Sequence, residues 1–412
     1  MKLGLFYLLE CPDHDYRRAF DELLEQAVYA EQMGFDTIWL GEHHGSDYGS
    51  MPAPAVVAAA IAQRTSRIRI GCAVTNITFR HPTTVAEDWA VVDNLSDGRV
   101  RCGVGRGYQP REFRAFGLED QMENSREMFF EALECITGLW SNERFSYHGK
   151  YYRIDDHELR PTMVQKDPEI FIAAVSPQTF GLVAERGYNV LMNPSLSTMP
   201  ELVQFTIDNK RTLIEAGRDP ATLNFPLSWF FHLGETEEQA FDRAVPYFNW
   251  YFEEAMKHVP QGAKVPKGYE AFAQMVEIAK TSGGLTLDDL RAGGILFIGS
   301  PDQAIEEVTR LHDEMGLHEL TTWQRVGGMP HEVVMDSIRL TGERVIPALA
   351  GLEPTLPRAL RTPMKTKLDC PCGVHITGQD EDALVDNVRA HLAKEHPEHD
   401  YSRDEILMVA RA

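Results

Sequence analysis

Three groups of residues in this 412-residue chain have the types and spacing to do chemistry. The first is Glu42-His43-His44, a carboxylate and two adjacent imidazoles that open a polar loop directly after the apolar run Thr37-Ile-Trp-Leu40. Imidazole changes charge near neutral pH, so a histidine beside a carboxylate suits general acid–base work. A capped loop with one buried and one solvated histidine would use the same residues. The second group is split. Arg106 stands between Gly105 and Gly107, with Tyr108 following, and Ser176 and Thr179 bracket a Pro-Gln pair further on. Glycines let backbone approach a ligand, and a guanidinium fork matches a phosphate. Hydroxyls at a helix start suit an anion, although an ordinary serine cap explains Ser176 equally well. Together they point to a phosphorylated ligand. The third group is Cys370 and Cys372, then His391 and His396, spaced C-x-C…H-x4-H. Two thiols and two imidazoles are a ligand set for tetrahedral zinc. A tight metal-free Cys-Pro-Cys turn is the alternative.

These groups need elements to hold them. Lys2–Leu9, Phe35–Leu40, Ile68–Val74, Gly98–Gly103, Ile170–Ala174, Tyr188–Met192, Leu223–Leu233 and Glu319–Trp323 read as strands. Helical spacing fills the intervals at Tyr16–Met33, Pro54–Arg64, Thr84–Leu95, Ser125–Trp140, Thr179–Arg186, Pro200–Ala216, 237–257 and Glu332–Ile346. Continuous apolar strands alternating with helices predict an α/β fold, a (β/α)8 TIM barrel that presents its chemistry at the C-terminal ends of the strands. A doubly wound sheet is the rival, but no Gly-x-Gly-x-x-Gly follows the first strand. Trp229, Phe230 and Phe231 suit core packing better than a substrate wall. Val259–Arg291 is weakly periodic and reads as a lid. The domain reading is a barrel over 1–351, a proline-rich basic linker over 352–367, and a small α+β zinc-ribbon-like module over 368–412.

Composition narrows the function classes. A formal charge of −22 argues against a nucleic-acid partner, and no run is long and apolar enough to span a membrane. Leu3–Leu9 suits a first strand better than a signal segment. Of the six cysteines, the first four are scattered among strand and helix patterns, which points to a reduced, cytoplasmic protein. The helix Ala-Val-Val-Ala-Ala-Ala-Ile-Ala at 55–62 is apolar on nearly all sides, which suits packing against a twin in a homodimer.

Residues 1 to about 350 resemble the bacterial luciferase-like family of flavin-dependent monooxygenases, through pieces that run in the family's order. These are Gly34–His44, His81-Pro82 with Ala86-Glu-Asp88, Asp97–Gly107, Glu112–Gly117, Ala184–Gly187 and Ile298–Pro301. The resemblance implies a two-component monooxygenase. A partner flavin reductase would supply reduced FMN, and O2 would form a flavin hydroperoxide that inserts one oxygen into a small organic substrate. It implies that Arg106 and Ser176, with Thr179 beside them and Gly107 and Tyr108 adjoining, hold the FMN phosphate. It also implies that the Ala73–Val74 link is a cis peptide under the flavin ring, and that His43 is the catalytic imidazole, with Glu42 and His44 orienting it or lining the pocket. Gly105 stands where luciferase has a cysteine, and Val175 where it has an acid, which points away from light emission. Alternatives within the superfamily are a deazaflavin-dependent oxidoreductase and a non-catalytic flavin-binding protein. The C-terminal piece, from Cys370-Pro-Cys-Gly373, resembles a small family of predicted metal-binding domains.

Overall fold

The computed structural model describes residues 1–173, 185–193, 198–258, 286–361 and 364–411. The chain forms two compact units, Met1–Thr355 and Leu356–Ala412. Ser176, Thr179 and the expected lid up to residue 285 lie outside the described residues.

The first unit is built on parallel strands β1 (Lys2–Tyr7), β2 (Thr37–Leu40), β3 (Arg69–Asn76), β4 (Val100–Gly105), β5 (Ile170–Ala173), β6 (Asn189–Leu191), β7 (Leu227–Leu233), β8 (Leu296–Gly299) and β9 (Glu319–Trp323). Their order in the sheet is β8-β7-β9-β1-β2-β3-β4-β5-β6. The sheet closes on itself after β6. Met192 pairs with Leu227 at the start of β7, Ser228 N–H donates to Met192 O at 2.8 Å, and Met192 N–H donates to Pro226 O at 3.0 Å. This is the curled parallel sheet of a TIM barrel. β8 is the strand that the sequence reading lacks. It lies beside the C-terminal half of β7, with Leu296 opposite Phe230 and Gly299 opposite Leu233.

The strands are buried along almost their whole length, as parallel strands covered by helices must be. Local signals set the helix ends. Asp15 caps α1 (Tyr16–Gln32) by accepting from Arg18 N–H. α2 (Pro54–Ala62) packs on α3 (Pro82–Ser96), and both start with a proline. α4 (Pro110–Ala115) follows β4 directly, and α5 (Ser125–Ser141) leads to a hairpin of Phe145–His148 and Arg153–His157. α6 (Met199–Glu215), α7 (Glu237–Met256) and α8 (Leu287–Ala292) follow. α9 (Pro301–Met315) opens with a Ser300/Gln303 capping box and ends at Gly316 in the left-handed conformation. α10 (His331–Leu340) runs on as helix to Leu349. Trp229, Phe230 and Phe231 on β7 are buried in the core, and Trp229 Nε1 donates to Gly294 O at 2.8 Å.

The second unit pairs β10 (Lys367–Asp369) with β11 (His375–Thr377) antiparallel and adds helices α11 (Glu381–Glu395) and α12 (Arg403–Val409). Asp380 caps α11 through Ala383 N–H at 2.7 Å.

Candidate active site

Glu42 and His43 follow the C-terminal end of β2, so the barrel's geometry puts them at its mouth. The cavity there is lined by Glu42, His43, Tyr48, Ala73, Val74, Asn76, Gly105, Arg106, Gly107, Tyr108 and Glu112. Phe6, Leu8, Trp39, Leu191, Met192 and Trp323 supply an apolar and aromatic wall. The Ala73–Val74 peptide is cis. The structure thus brings Glu42, His43, Ala73, Val74, Arg106, Gly107 and Tyr108 to one cavity. His44 turns away from it. Its ring packs edge-on against Phe116 at 4.7 Å, and its Nε2 donates to Glu42 Oε1 at 3.0 Å.

The central contact is His43 Nδ1–H donating to Glu112 Oε1 at 2.9 Å. An ionised carboxylate can only accept, so this bond fixes the tautomer and leaves Nε2 with the lone pair. The same Glu112 oxygen accepts from His44 N–H at 3.0 Å, which ties the loop after β2 to α4. Burial raises the Glu112 carboxyl, and the hydrogen bonds from His43 and the His44 amide outweigh it, leaving Glu112 below its ordinary value. Glu42 braces the same loop against β3. Its Oε2 accepts from Asn76 N–H at 3.2 Å, and the Asn76 amide donates to Glu42 O at 3.1 Å.

Beside His43 lies a buried string of phenols. Tyr251 donates to the Tyr48 hydroxyl at 3.2 Å, and Tyr48 and Tyr108 hydroxyls stand 3.5 Å apart. Gln109 reaches both Tyr108 and His43 Nδ1 at 3.4 Å. Burial holds all three phenols well above their usual range, so they stay neutral. Further out, Arg111 donates to His44 O at 2.7 Å and lies 3.2 Å from His258 Nδ1, whose other nitrogen meets Glu254 at 3.1 Å.

The opposite wall is a backbone cradle. A Cβ on Gly105 would stand 2.1 Å from Val74 Cγ2, and one on Gly107, at φ +73°, would stand 2.6 Å from the Phe79 ring. Only glycine fits either place. Thr78 Oγ1 donates to Arg106 O at 2.6 Å and fixes the loop between them. An apolar slot, backbone exposed by glycines and an adjoining arginine fit a planar cofactor with a phosphate.

Sequence reasoning missed the roles of Glu112, Tyr48, Asn76, Gln109 and Tyr251. Glu112 lies inside the motif Glu112-Phe-Arg-Ala-Phe-Gly117, but no local spacing rule connects it to a histidine 69 positions earlier.

Residues 1–319 match the model of the luciferase-like monooxygenases. The chain belongs to that family. Its named relatives, together with the family, support a flavin-dependent monooxygenase. It is 27% identical over 307 residues to limonene 1,2-monooxygenase of Rhodococcus erythropolis, covering 74% of this chain and 75% of that one. It is 24% identical over 359 residues to the oxygenase component of the flavin-dependent trigonelline monooxygenase of Acinetobacter baylyi, covering 85% and 96%. Its fold matches the oxygenating constituent of 3,6-diketocamphane monooxygenase from Pseudomonas putida, solved in complex with FMN, with TM-score 0.70, 22% identity and coverage of 87% and 100%.

In the second unit, Cys370 Sγ lies 3.5 Å from His396 Nε2, and Cys372 Sγ lies 3.4 Å from His391 Nε2. All four ligand atoms fall within 4.8 Å of one another.

Proposed function

We propose that the barrel binds reduced FMN, delivered by a separate flavin reductase, and uses it with O2 to insert one oxygen atom into a small organic substrate. The observation that carries this reading is the His43–Glu112 pair, held at 2.9 Å in the wall of a cavity that also exposes Ala73, Val74 and the Arg106 loop. The chemistry supplied by bound reduced FMN is two-electron activation of O2, with one oxygen atom going to the substrate and the other to water.

This chain's residues do the rest. Arg106 meets the cofactor phosphate, with Ser176 and Thr179 assigned to it by the family resemblance. Gly105 and Gly107 let backbone lie against the ring. His43 moves a proton at Nε2, because Glu112 keeps the other nitrogen protonated and the ring oriented. Glu42 positions the loop through Asn76 and His44. The apolar wall of Phe6, Leu8, Trp39 and Trp323 excludes water from the reacting centre.

The same reading makes the protein a cytoplasmic homodimer that uses neither nucleic acid nor a membrane. Val56 on α2 and Val91 and Leu95 on α3 are exposed large apolar side chains, which a second copy would cover. Among the described residues, no helix is long and apolar enough to cross a membrane. For the second unit, we propose that Cys370, Cys372, His391 and His396 hold zinc.

The test is an anaerobic calorimetric titration of the protein with reduced FMN, oxidised FMN and reduced deazaflavin coenzyme. The expected order is tightest for reduced FMN, with Arg106→Ala weakening it. Preference for the deazaflavin, or unchanged affinity in the Arg106 variant, contradicts the reading.

A further inference from the structure

The second unit has little to hold it together. Among the described residues its core is eight buried side chains, one of them the thiol-bearing Cys370, and its two strands have three residues each. A core of that size supplies only a few kcal/mol against chain entropy, so a unit like this needs a staple. Among the described cysteines none is disulfide-bonded. The Cys2His2 cluster ties the turn after β10 to the end of α11, beside backbone bonds between Lys367 and Arg411 and an Asn387 Nδ2 bond to Thr377 O.

Its donor set is that of a closed centre. Zinc–sulfur bonds of about 2.3 Å and zinc–nitrogen bonds of about 2.0–2.1 Å give a tetrahedral S···N edge of roughly 3.5 Å. Two of the four S···N separations are 3.5 and 3.4 Å, and all four ligand atoms lie within 4.8 Å of one another. The thiols come from a tight turn in which Gly373, at φ +91°, donates to Cys370 O at 2.8 Å and Cys370 N–H donates to Val374 O at 2.9 Å. The imidazoles come from the C-terminal part of α11, His391 just before its last turn and His396 as its C-cap. An ion here bridges the turn after β10 to the end of α11. With two thiolates and two imidazoles it has no open position, so it is structural and not catalytic.

We infer that this ion decides whether the second unit folds, so that zinc occupancy switches residues 366–411 between ordered and unfolded while the barrel stays intact. The inference rests on the zinc reading given above. Ligand atoms gathered in the folded unit scatter in the unfolded chain, so binding free energy becomes folding free energy.

The experiment uses the full-length chain. Cobalt uptake, read by the visible bands of a four-coordinate thiolate complex, tests the zinc reading alone. Hydrogen exchange resolved by segment, before and after an excess of chelator, tests the inference. Chelation is expected to speed exchange in α11 and β11 by ~100-fold or more while β1–β5 keep their protection, and once the chelator has been removed one equivalent of Zn2+ restores it. Leu384→Ala, which leaves every ligand in place, should be rescued by added zinc in proportion to its concentration; Leu384 is fully buried. A chain that takes up neither metal removes the zinc reading and the inference with it. A chain that binds zinc, yet keeps α11 equally protected after chelation, overturns the inference and leaves the zinc reading standing.

Discussion

The barrel has buried charge at both ends, and the two ends use it differently. Deep in its interior, Arg101 is fully buried and donates to both oxygens of Glu319, at 2.5 and 2.9 Å, to Thr37 Oγ1 at 3.0 Å and to Glu169 at 3.2 Å. Its guanidinium also lies over Trp39 and Phe171, at 4.8 and 4.6 Å. Burial raises the Glu319 carboxyl, and Arg101 more than offsets it, so the pair stays ionised. All of these bonds are internal. At the mouth, Glu112 fixes one nitrogen of His43 and leaves the other with a lone pair beside an open cavity. A satisfied network gives structure, and a half-satisfied one gives chemistry. This matches the division of a TIM barrel into a stability face and an active face.

The comparison breaks most sharply at Arg101. Arg101→Met leaves Glu319 buried and unpaired, and should cost about 3–5 kcal/mol in chemical denaturation. Replacing both partners with apolar residues should recover most of that loss. At the mouth the opposite pattern is expected: His43→Gln should lower kcat by roughly 10²–10⁴-fold while moving the denaturation midpoint little. If both variants lose stability and activity in parallel, the division between the two ends is wrong.

A third prediction concerns pH. His232 on β7 is fully buried, and burial together with Arg243 pushes its imidazole down from 6.5 to about 4. The unfolded chain takes up a proton near pH 6.5 and the native chain does so only near pH 4, so stability falls as pH drops between them. The loss should approach roughly 3 kcal/mol. Denaturation of His232→Leu should show a flatter acid limb, with activity at pH 7 retained. The smallest effect is expected at the cradle. Gly107→Ala must adopt φ +73° against the Phe79 ring, which should cost about 1–3 kcal/mol and weaken cofactor binding in titration.

Much of this arrangement was legible beforehand. Thr37-Ile-Trp-Leu40 is β-branched and aromatic and ends in charge, which marks a barrel strand and its catalytic loop. Gly105 and Gly107 mark a close backbone approach for the same local reason. What stayed hidden was pairing at a distance. Glu112 meets His43 because β2 and β4 both end at the mouth, a fact of sheet order that no spacing in the chain encodes. Strand β8 was missed because Leu296–Gly299 leads straight into the Ser300 cap of α9, and only that helix start was read there. His44 was read as orienting His43 or lining the pocket, and the packing of Phe79 and Phe116 turns its ring away from the cavity.

The most direct test of the central claim is stopped-flow absorbance, mixing the anaerobic complex of protein and reduced FMN with oxygenated buffer. The account predicts an oxygen-dependent transient, distinct from both reduced and oxidised FMN, that outlives the oxidation of free flavin and is shortened in His43→Gln. Oxidation at the free-flavin rate with no transient, or identical traces for the two proteins, would contradict it.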